Sequence, residues 1–245
     1  MIHLFCGIII GIVMGLTGAG GALIAIPLFM QFLGMGLKEA SVYSLIAVVV
    51  ASLLNYVSQR KSTQYFTAIL IVTSSSVGSY LTAPLKEKLP TSLISIILAL
   101  VSLYALYVVW RPVKDSSDNE TSPPGKNALS IAAGFMLGVL TTFTGLGGGV
   151  VMLPLFLKLF KYSHPQAIST SLLAVGLSSL ASLIIQVMKG AQFNVNVDLI
   201  FLLIGVLVSV FILQLFVKRL PLPLVKLTRQ AVFTFVVVLA LLKIF

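Results

Sequence analysis

Two segments that are close copies of each other decide the fold: Thr17–Phe29 reads TGAGGALIAIPLF, and Thr144–Phe156 reads TGLGGGVVMLPLF. Seven of their thirteen aligned positions are identical. Each segment places a run of glycines inside a long apolar stretch, and a glycine inside a helix costs about 1 kcal/mol relative to alanine. The glycines therefore predict non-helical backbone at two matching places, with new helices beginning near Leu23 and Val150.

The similarity between the two copies extends well beyond the glycines. A shift of 127 positions aligns Gly7–Val57 with Gly134–Ile184 without a gap, and 16 of those 51 pairs are identical. The polar stretch 111–127, RPVKDSSDNETSPPGKN, separates the copies and has the composition of a linker. We therefore divide the chain into a first transmembrane repeat (1–110), a polar cytoplasmic linker (111–127) and a second transmembrane repeat (128–245). Internal duplication is the common plan of secondary transporters.

The composition is that of an integral membrane protein. Of the 245 residues, 58% are hydrophobic and only 9% are charged, and the mean hydropathy is +1.11, whereas soluble domains carry about 25% charged residues. A helix needs roughly 20 apolar residues to cross a bilayer. The uncharged stretches are 1–37, 40–59, 62–85, 89–110, 127–157, 162–188, 199–217 and 230–242. The net charge of +10 comes from basic residues scattered between these stretches, so it does not indicate nucleic-acid binding.

Each of the two stretches that contain the glycines, 1–37 and 127–157, can be one over-long broken helix or a re-entrant hairpin with the glycines at its tip. The basic residues favour hairpins. Single crossings divide them seven against nine between the two sides, whereas hairpins divide them five against eleven, which is the asymmetry that the positive-inside rule expects.

The hairpin topology predicts an all-α integral membrane protein of two duplicated halves. Each half has one glycine-tipped hairpin and three transmembrane helices. Because three is an odd number, the halves enter the membrane in opposite orientations, as inverted repeats. We expect a multi-pass protein of the cytoplasmic membrane with both termini outside.

The two glycine segments are candidate substrate-binding sites. Bare main-chain N–H groups followed by a helix N-terminus attract anions, and the threonine hydroxyls add donors. The candidates are Thr17, Gly18, Ala19, Gly20, Gly21, Thr144, Gly145, Leu146, Gly147, Gly148 and Gly149. The alternative is that glycine only permits close helix packing, which is the role we assign to Gly7, Gly11, Gly15, Gly134 and Gly138.

Polar side chains on the apolar segments that follow the glycines form a second set of candidates. They are Ser44, Ser52, Asn55 and Gln59 in the first half, and Ser171, Ser179, Ser182 and Gln186 in the second. They either line a transport pathway or form hydrogen bonds between helices. We favour a role in binding for Ser44 and Ser171, because these two follow the glycine segments.

The chain resembles the sulfite exporter TauE/SafE family of membrane permeases over nearly its whole length. The resemblance rests on the two glycine segments, each of which runs into Pro-Leu-Phe, and on Ala167–Leu172, AISTSL, which is similar to the family's Thr-Ser-Leu stretch and adds Thr170 to the candidate site. It implies transport of small sulfur-containing anions such as sulfite or organosulfonates. The first half departs from the pattern, because Tyr43 occupies the position that corresponds to Thr170.

Nothing in the sequence points to an enzyme, a metal site or a cofactor. The chain has one cysteine, and its six acidic residues fall in predicted loops or at segment edges, so the usual proton relay within the membrane is missing. We expect an exporter whose anionic substrate binds near the bilayer midplane between the two glycine tips. The alternatives are an anion channel, or a membrane-embedded assembly or interaction protein without transport activity.

Overall fold

The computed structural model describes residues 2–17, 22–110, 125–191, 197–217 and 234. All regular structure in these ranges is helical. The helices are α1 (Ile2–Thr17), α2 (Ala22–Phe32), α3 (Leu37–Gln59), α4 (Tyr65–Lys88), α5 (Thr91–Trp110), α6 (Lys126–Thr144), α7 (Gly149–Lys158), α8 (His164–Met188) and α9 (Val197–Val217), with a short 3-10 helix (Arg60–Ser62) before α4.

Four of these helices are long and apolar enough to cross a membrane. The candidate spans are Leu37–Ser62, Tyr65–Lys88, Lys126–Thr144 and His164–Met188. Shorter apolar stretches lie in α5, at Thr91–Tyr104, and in α9, at Leu199–Ile212. The prediction of an all-helical membrane protein is thus confirmed.

The helices that follow the glycine segments begin within one residue of their predicted starts, at Ala22 for α2 and at Gly149 for α7. Pro27 and Pro154 lie inside these two helices, which continue beyond them. Proline lacks an N–H group and so removes one hydrogen bond of each helix, but it does not end either helix here.

Helices α3 and α8 form the antiparallel centre of the bundle. Their apolar spans are 61% and 56% buried, against 33% for α4. Near one end of the pair, Lys86 contacts both Ser41 of α3 and Gln186 of α8. Towards the other end, a Cβ on Gly176 of α8 would lie 3.4 Å from Cβ of Ser52. The two helices are sequence counterparts in the repeat, and they run in opposite directions.

Glycines pack the first helix of each half against the fourth helix of the other half. A Cβ on Gly134 of α6 would lie 2.5 Å from the main-chain oxygen of Ile71 in α4, and one on Gly11 of α1 would lie 2.8 Å from that of Val206 in α9. The backbones meet too closely for any side chain, as in other small-residue helix pairs. The predicted packing role of these glycines is confirmed.

The start of α6 and the chain that follows α7 lie at the same end of the bundle. The ammonium of Lys126, the first residue of α6, is 4.7 Å from the ring centroid of Tyr162. The Tyr162 hydroxyl is 2.7 Å from that of Thr67, in the first turn of α4. The opposite end of the bundle carries Lys38, which donates a 2.8 Å hydrogen bond to the main-chain oxygen of Glu87.

Candidate functional site

The second glycine segment forms a buried turn between α6 and α7. Gly145, Gly147 and Gly148 have φ angles of 68°, 64° and 68°, in the left-handed region that residues with a Cβ avoid. All residues from 141 to 149 are buried. Glycine is required at these three positions because of the left-handed conformation and because a Cβ at each would clash with a neighbouring residue. We call residues 144–149 the glycine turn.

The glycine turn is wedged between α3 and α8, near the middle of α3. A Cβ on Gly147 would lie 2.5 Å from Val48 Cγ1 and 2.8 Å from Ser179 Oγ. A Cβ on Gly145 would lie 2.7 Å from Cα of Ser41. The Ser44 hydroxyl donates a hydrogen bond to the main-chain oxygen of Gly145, so a residue of the first half holds the turn of the second half.

Two consecutive amides of the glycine turn point to a binding function. The Gly145 N–H donates to the Thr141 oxygen at 2.8 Å, and the Leu146 N–H donates to the Thr144 hydroxyl at 3.3 Å. The N–H groups of Gly147 and Gly148 have no hydrogen-bond partner among the described residues. Buried main-chain N–H groups are almost always paired, so this pair of donors is available to a ligand.

Two unpartnered hydroxyls border these amides. Thr141 Oγ1 and Ser179 Oγ are buried without a hydrogen-bond partner in the described part of the chain. Ser179 Oγ lies 2.8 Å from the position that a Cβ on Gly147 would occupy. Thr141 Oγ1 lies 3.7 Å from the position that a Cβ on Gly148 would occupy. Unpartnered neutral hydrogen-bonding groups of three elements, α6, the glycine turn and α8, therefore lie in this region.

The structure does not bring Thr170 and Ser171 to this turn. The Thr170 hydroxyl accepts a 3.0 Å hydrogen bond from the main-chain N–H of Gln64, just before α4. Ser171 Oγ is buried and has no partner in the described ranges. At 1.5 Å rise per residue, Ser171 lies about 12 Å along α8 from Ser179. Of the first glycine segment, Thr17 ends α1, and Gly18, Ala19, Gly20 and Gly21 lie outside the described residues.

The other polar candidates divide between the two roles. Ser182 lies 3.3 Å from the Thr142 hydroxyl and accepts a 3.2 Å hydrogen bond from Gln186, so it joins α6 to α8. Asn55 donates to the main-chain oxygen of Ala51 at 2.9 Å within α3, and Gln59 is exposed. The packing interpretation therefore holds for Ser182, whereas Ser179 remains a candidate for binding.

Sequence reasoning missed Lys86, which follows directly after the apolar stretch 62–85. Helix α4 continues past Pro84, and Lys86 lies 2% exposed among α3 and α8. Its ammonium donates to Ser41 Oγ at 2.6 Å and to Gln186 Oε1 at 2.7 Å. The available signal was helical spacing, because Lys86 is seven residues after the buried Ser79 and so lies on the same face of α4.

Comparisons with known proteins identify a family of membrane transporters. The family described as "Sulfite exporter TauE/SafE" matches residues 3–242. The chain is also 25% identical over 210 residues to the "Probable membrane transporter protein YunE" of Bacillus subtilis (strain 168), covering 75% of this chain and 77% of that protein. No solved structure matches the chain. The match to the family covers nearly the whole sequence, and the chain therefore belongs to the sulfite exporter TauE/SafE family of membrane transporters.

Proposed function

We propose that the protein exports small sulfur-containing anions, such as sulfite or organosulfonates, across the cytoplasmic membrane, and that the anion binds at the glycine turn. The observation that carries the proposal is the group of buried donors without partners: two amides, on Gly147 and Gly148, and two hydroxyls, on Thr141 and Ser179. A sulfite or sulfonate group has three oxygens that each accept hydrogen bonds. Oriented amides of this kind bind oxyanions elsewhere in proteins.

We place the glycine turn at the tip of a re-entrant hairpin formed by α6 and α7. The contact between Lys126 and Tyr162 supports this, because it brings the start of α6 and the chain after α7 to one end of the bundle. Non-helical backbone at membrane depth is tolerated where protein or a polar cavity surrounds it, and the turn is enclosed by α3 and α8.

We further propose that residues 1–110 and 128–245 are inverted repeats joined by the linker 111–127, with both termini outside. The support comes from α3 and α8, which correspond under the shift of 127 and run antiparallel. In this arrangement the first segment, with Thr17, Gly18, Ala19, Gly20 and Gly21, supplies a matching site. Ser171 is then the counterpart of Ser44. Thr170 and Ser171, which lie in the second half of the chain, then belong to the matching site at the first glycine segment.

The membrane potential is the proposed driving force. A potential of about 100 mV, negative inside, favours outward movement of one negative charge by about 2.3 kcal/mol, or about fifty-fold in concentration. The chain has no acidic residue in the interior of α3, α4, α6 or α8 that would couple transport to protons.

The test is sulfite flux from proteoliposomes with the voltage set by a potassium gradient and valinomycin. We expect saturable efflux that increases with an inside-negative voltage, is inhibited by organosulfonates and shows counterflow. Flux that follows a proton gradient and ignores voltage would refute the driving force. Flux without saturation or counterflow would identify an anion channel, and absence of any anion flux or binding would refute the proposal as a whole.

A further inference from the structure

Lys86 is a buried cation without a carboxylate partner in the described part of the chain. Its side chain is 2% exposed, and both of its hydrogen bonds go to neutral oxygens, those of Ser41 and Gln186. The acidic neighbour Glu87 lies at the surface, where its carboxylate is 3.8 Å from the ammonium of Lys38. Proteins rarely bury a charge unless an ion pair or a bound ligand compensates it.

Lys86 is also adjacent to the glycine turn. Ser41 joins the two, because its hydroxyl accepts the 2.6 Å hydrogen bond from Lys86 and its Cα lies 2.7 Å from where a Cβ on Gly145 would be. An ammonium has three N–H donors, and two of those on Lys86 are used. The third has no partner among the described residues, so it remains for a ligand.

We propose that Lys86, positioned by Ser41 and Gln186, extends the anion-binding site of the glycine turn and makes the transporter selective for anions. The inference rests on the proposed function and adds a positive charge to the neutral donors of the turn. The neutral donors of the turn then bind the oxygens of the anion, and Lys86 compensates its negative charge. In the conformation described, α3, α4 and α8 close around Lys86, so an anion reaches it only when these helices separate.

The alternative is that Lys86 has only a structural role, in which its hydrogen bonds connect α4 to α3 and α8. Two variants separate the interpretations. Lys86→Met keeps the length of the side chain and removes the charge. Because burying an uncompensated charge is unfavourable, we expect this variant to unfold at the same temperature as the wild type or higher. A purely structural tie predicts a lower unfolding temperature.

Gln186→Glu is the sharper variant, because its carboxylate still accepts the hydrogen bond from Lys86 and can accept one from the Ser182 hydroxyl, which in the wild type is the acceptor. It also places a negative charge against the ammonium. The helices stay connected, but the positive charge is neutralised. The control is Lys88→Met, which removes one exposed charge two residues along the same helix.

The experiment measures the apparent affinity for sulfite, by thermal stabilisation and by zero-voltage flux in proteoliposomes. We expect Lys86→Met and Gln186→Glu each to weaken sulfite binding by about tenfold or more, the loss that accompanies a charge-assisted hydrogen bond. Lys88→Met should remain within about twofold of the wild type, and Lys86→Arg should retain part of the affinity, because a guanidinium keeps the charge.

Wild-type affinity in folded Gln186→Glu or Lys86→Met, or an equal loss in Lys88→Met, would overturn the assignment of Lys86 and leave the glycine site standing. A wild-type protein that neither binds nor transports sulfite or sulfonates would refute the proposed function itself. If Lys86→Met fails to fold, the structural interpretation is supported for that residue, and the affinity of Gln186→Glu decides the question of charge.

Discussion

Replacing Gly147 by alanine tests both the strain and the binding role of the glycine turn. The φ angle of 64° at Gly147 costs a residue with a Cβ roughly 1–2 kcal/mol. The new methyl group would also lie 2.5 Å from Val48 Cγ1 and 2.8 Å from Ser179 Oγ, and such overpacking costs about 1–3 kcal/mol. We expect Gly147→Ala to lower the free energy of unfolding by about 2–5 kcal/mol in total.

Gly34 provides a matched control for the backbone term. Its φ angle is also 64°, but a Cβ there would meet nothing within 4 Å. Gly34→Ala therefore carries the cost of the left-handed conformation alone, about 1–2 kcal/mol. The difference between the two variants isolates the close approach of the turn to α3 and α8.

The assay combines thermal unfolding in detergent with titration of sulfite. Gly147→Ala should unfold at a lower temperature than Gly34→Ala and should lose the stabilisation by sulfite that Gly34→Ala keeps. Adding Val48→Ala to Gly147→Ala should restore part of the stability by relieving the closest contact, while sulfite binding stays lost because the methyl group still lies beside Ser179. Equal stability of the two single variants, with unaltered sulfite binding in both, would refute the reasoning.

Three other substitutions separate binding from packing. Ser179→Ala removes a buried hydroxyl without a partner, so the free energy of unfolding should stay the same or increase slightly, while sulfite affinity falls about tenfold; normal affinity would remove Ser179 from the site. Thr170→Val should lower the free energy of unfolding by about 1 kcal/mol, because it removes the hydrogen bond with the main-chain N–H of Gln64; an unchanged unfolding temperature would contradict this role of the hydroxyl. Gly138→Val should separate α6 from α4 at Ser75 and prevent accumulation of folded protein, measured by gel filtration, whereas Gly34→Val should fold.

The sequence predicted where the helices begin better than it predicted which helices contact each other. The helix starts at Ala22 and Gly149 followed from glycine, because a run of glycines disfavours helix locally and the apolar residues that follow favour it. The packing role of Gly134 likewise followed from its spacing of four from Gly138. Both features depend on residues that are close together in the sequence, so they can be inferred from the sequence alone.

Contacts between distant segments were not readable in the same way. Ser44 was favoured for binding because it follows the first glycine segment, and the sequence did not indicate that its hydroxyl donates a hydrogen bond to the main-chain oxygen of Gly145, in the second segment. Lys86 was left outside the apolar stretch 62–85 because that stretch ends at the first charge, whereas α4 continues to Lys88 and buries the Lys86 ammonium against α3 and α8. Both differences arise from tertiary packing, which overrides local polarity.

The glycine-mediated pairing of α1 with α9 and of α6 with α4 has a consequence for how the bundle can move. Each pair joins one helix that precedes the linker to one helix that follows it. The two halves are therefore interlocked, as the subunits of a domain-swapped dimer are. Rigid-body rotation of residues 1–110 against residues 128–245 would separate α1 from α9 and α4 from α6. For the proposed transporter we therefore expect access to the two faces of the membrane to alternate by sliding or tilting of the central pair, α3 and α8, while the pairs α1–α9 and α4–α6 stay intact.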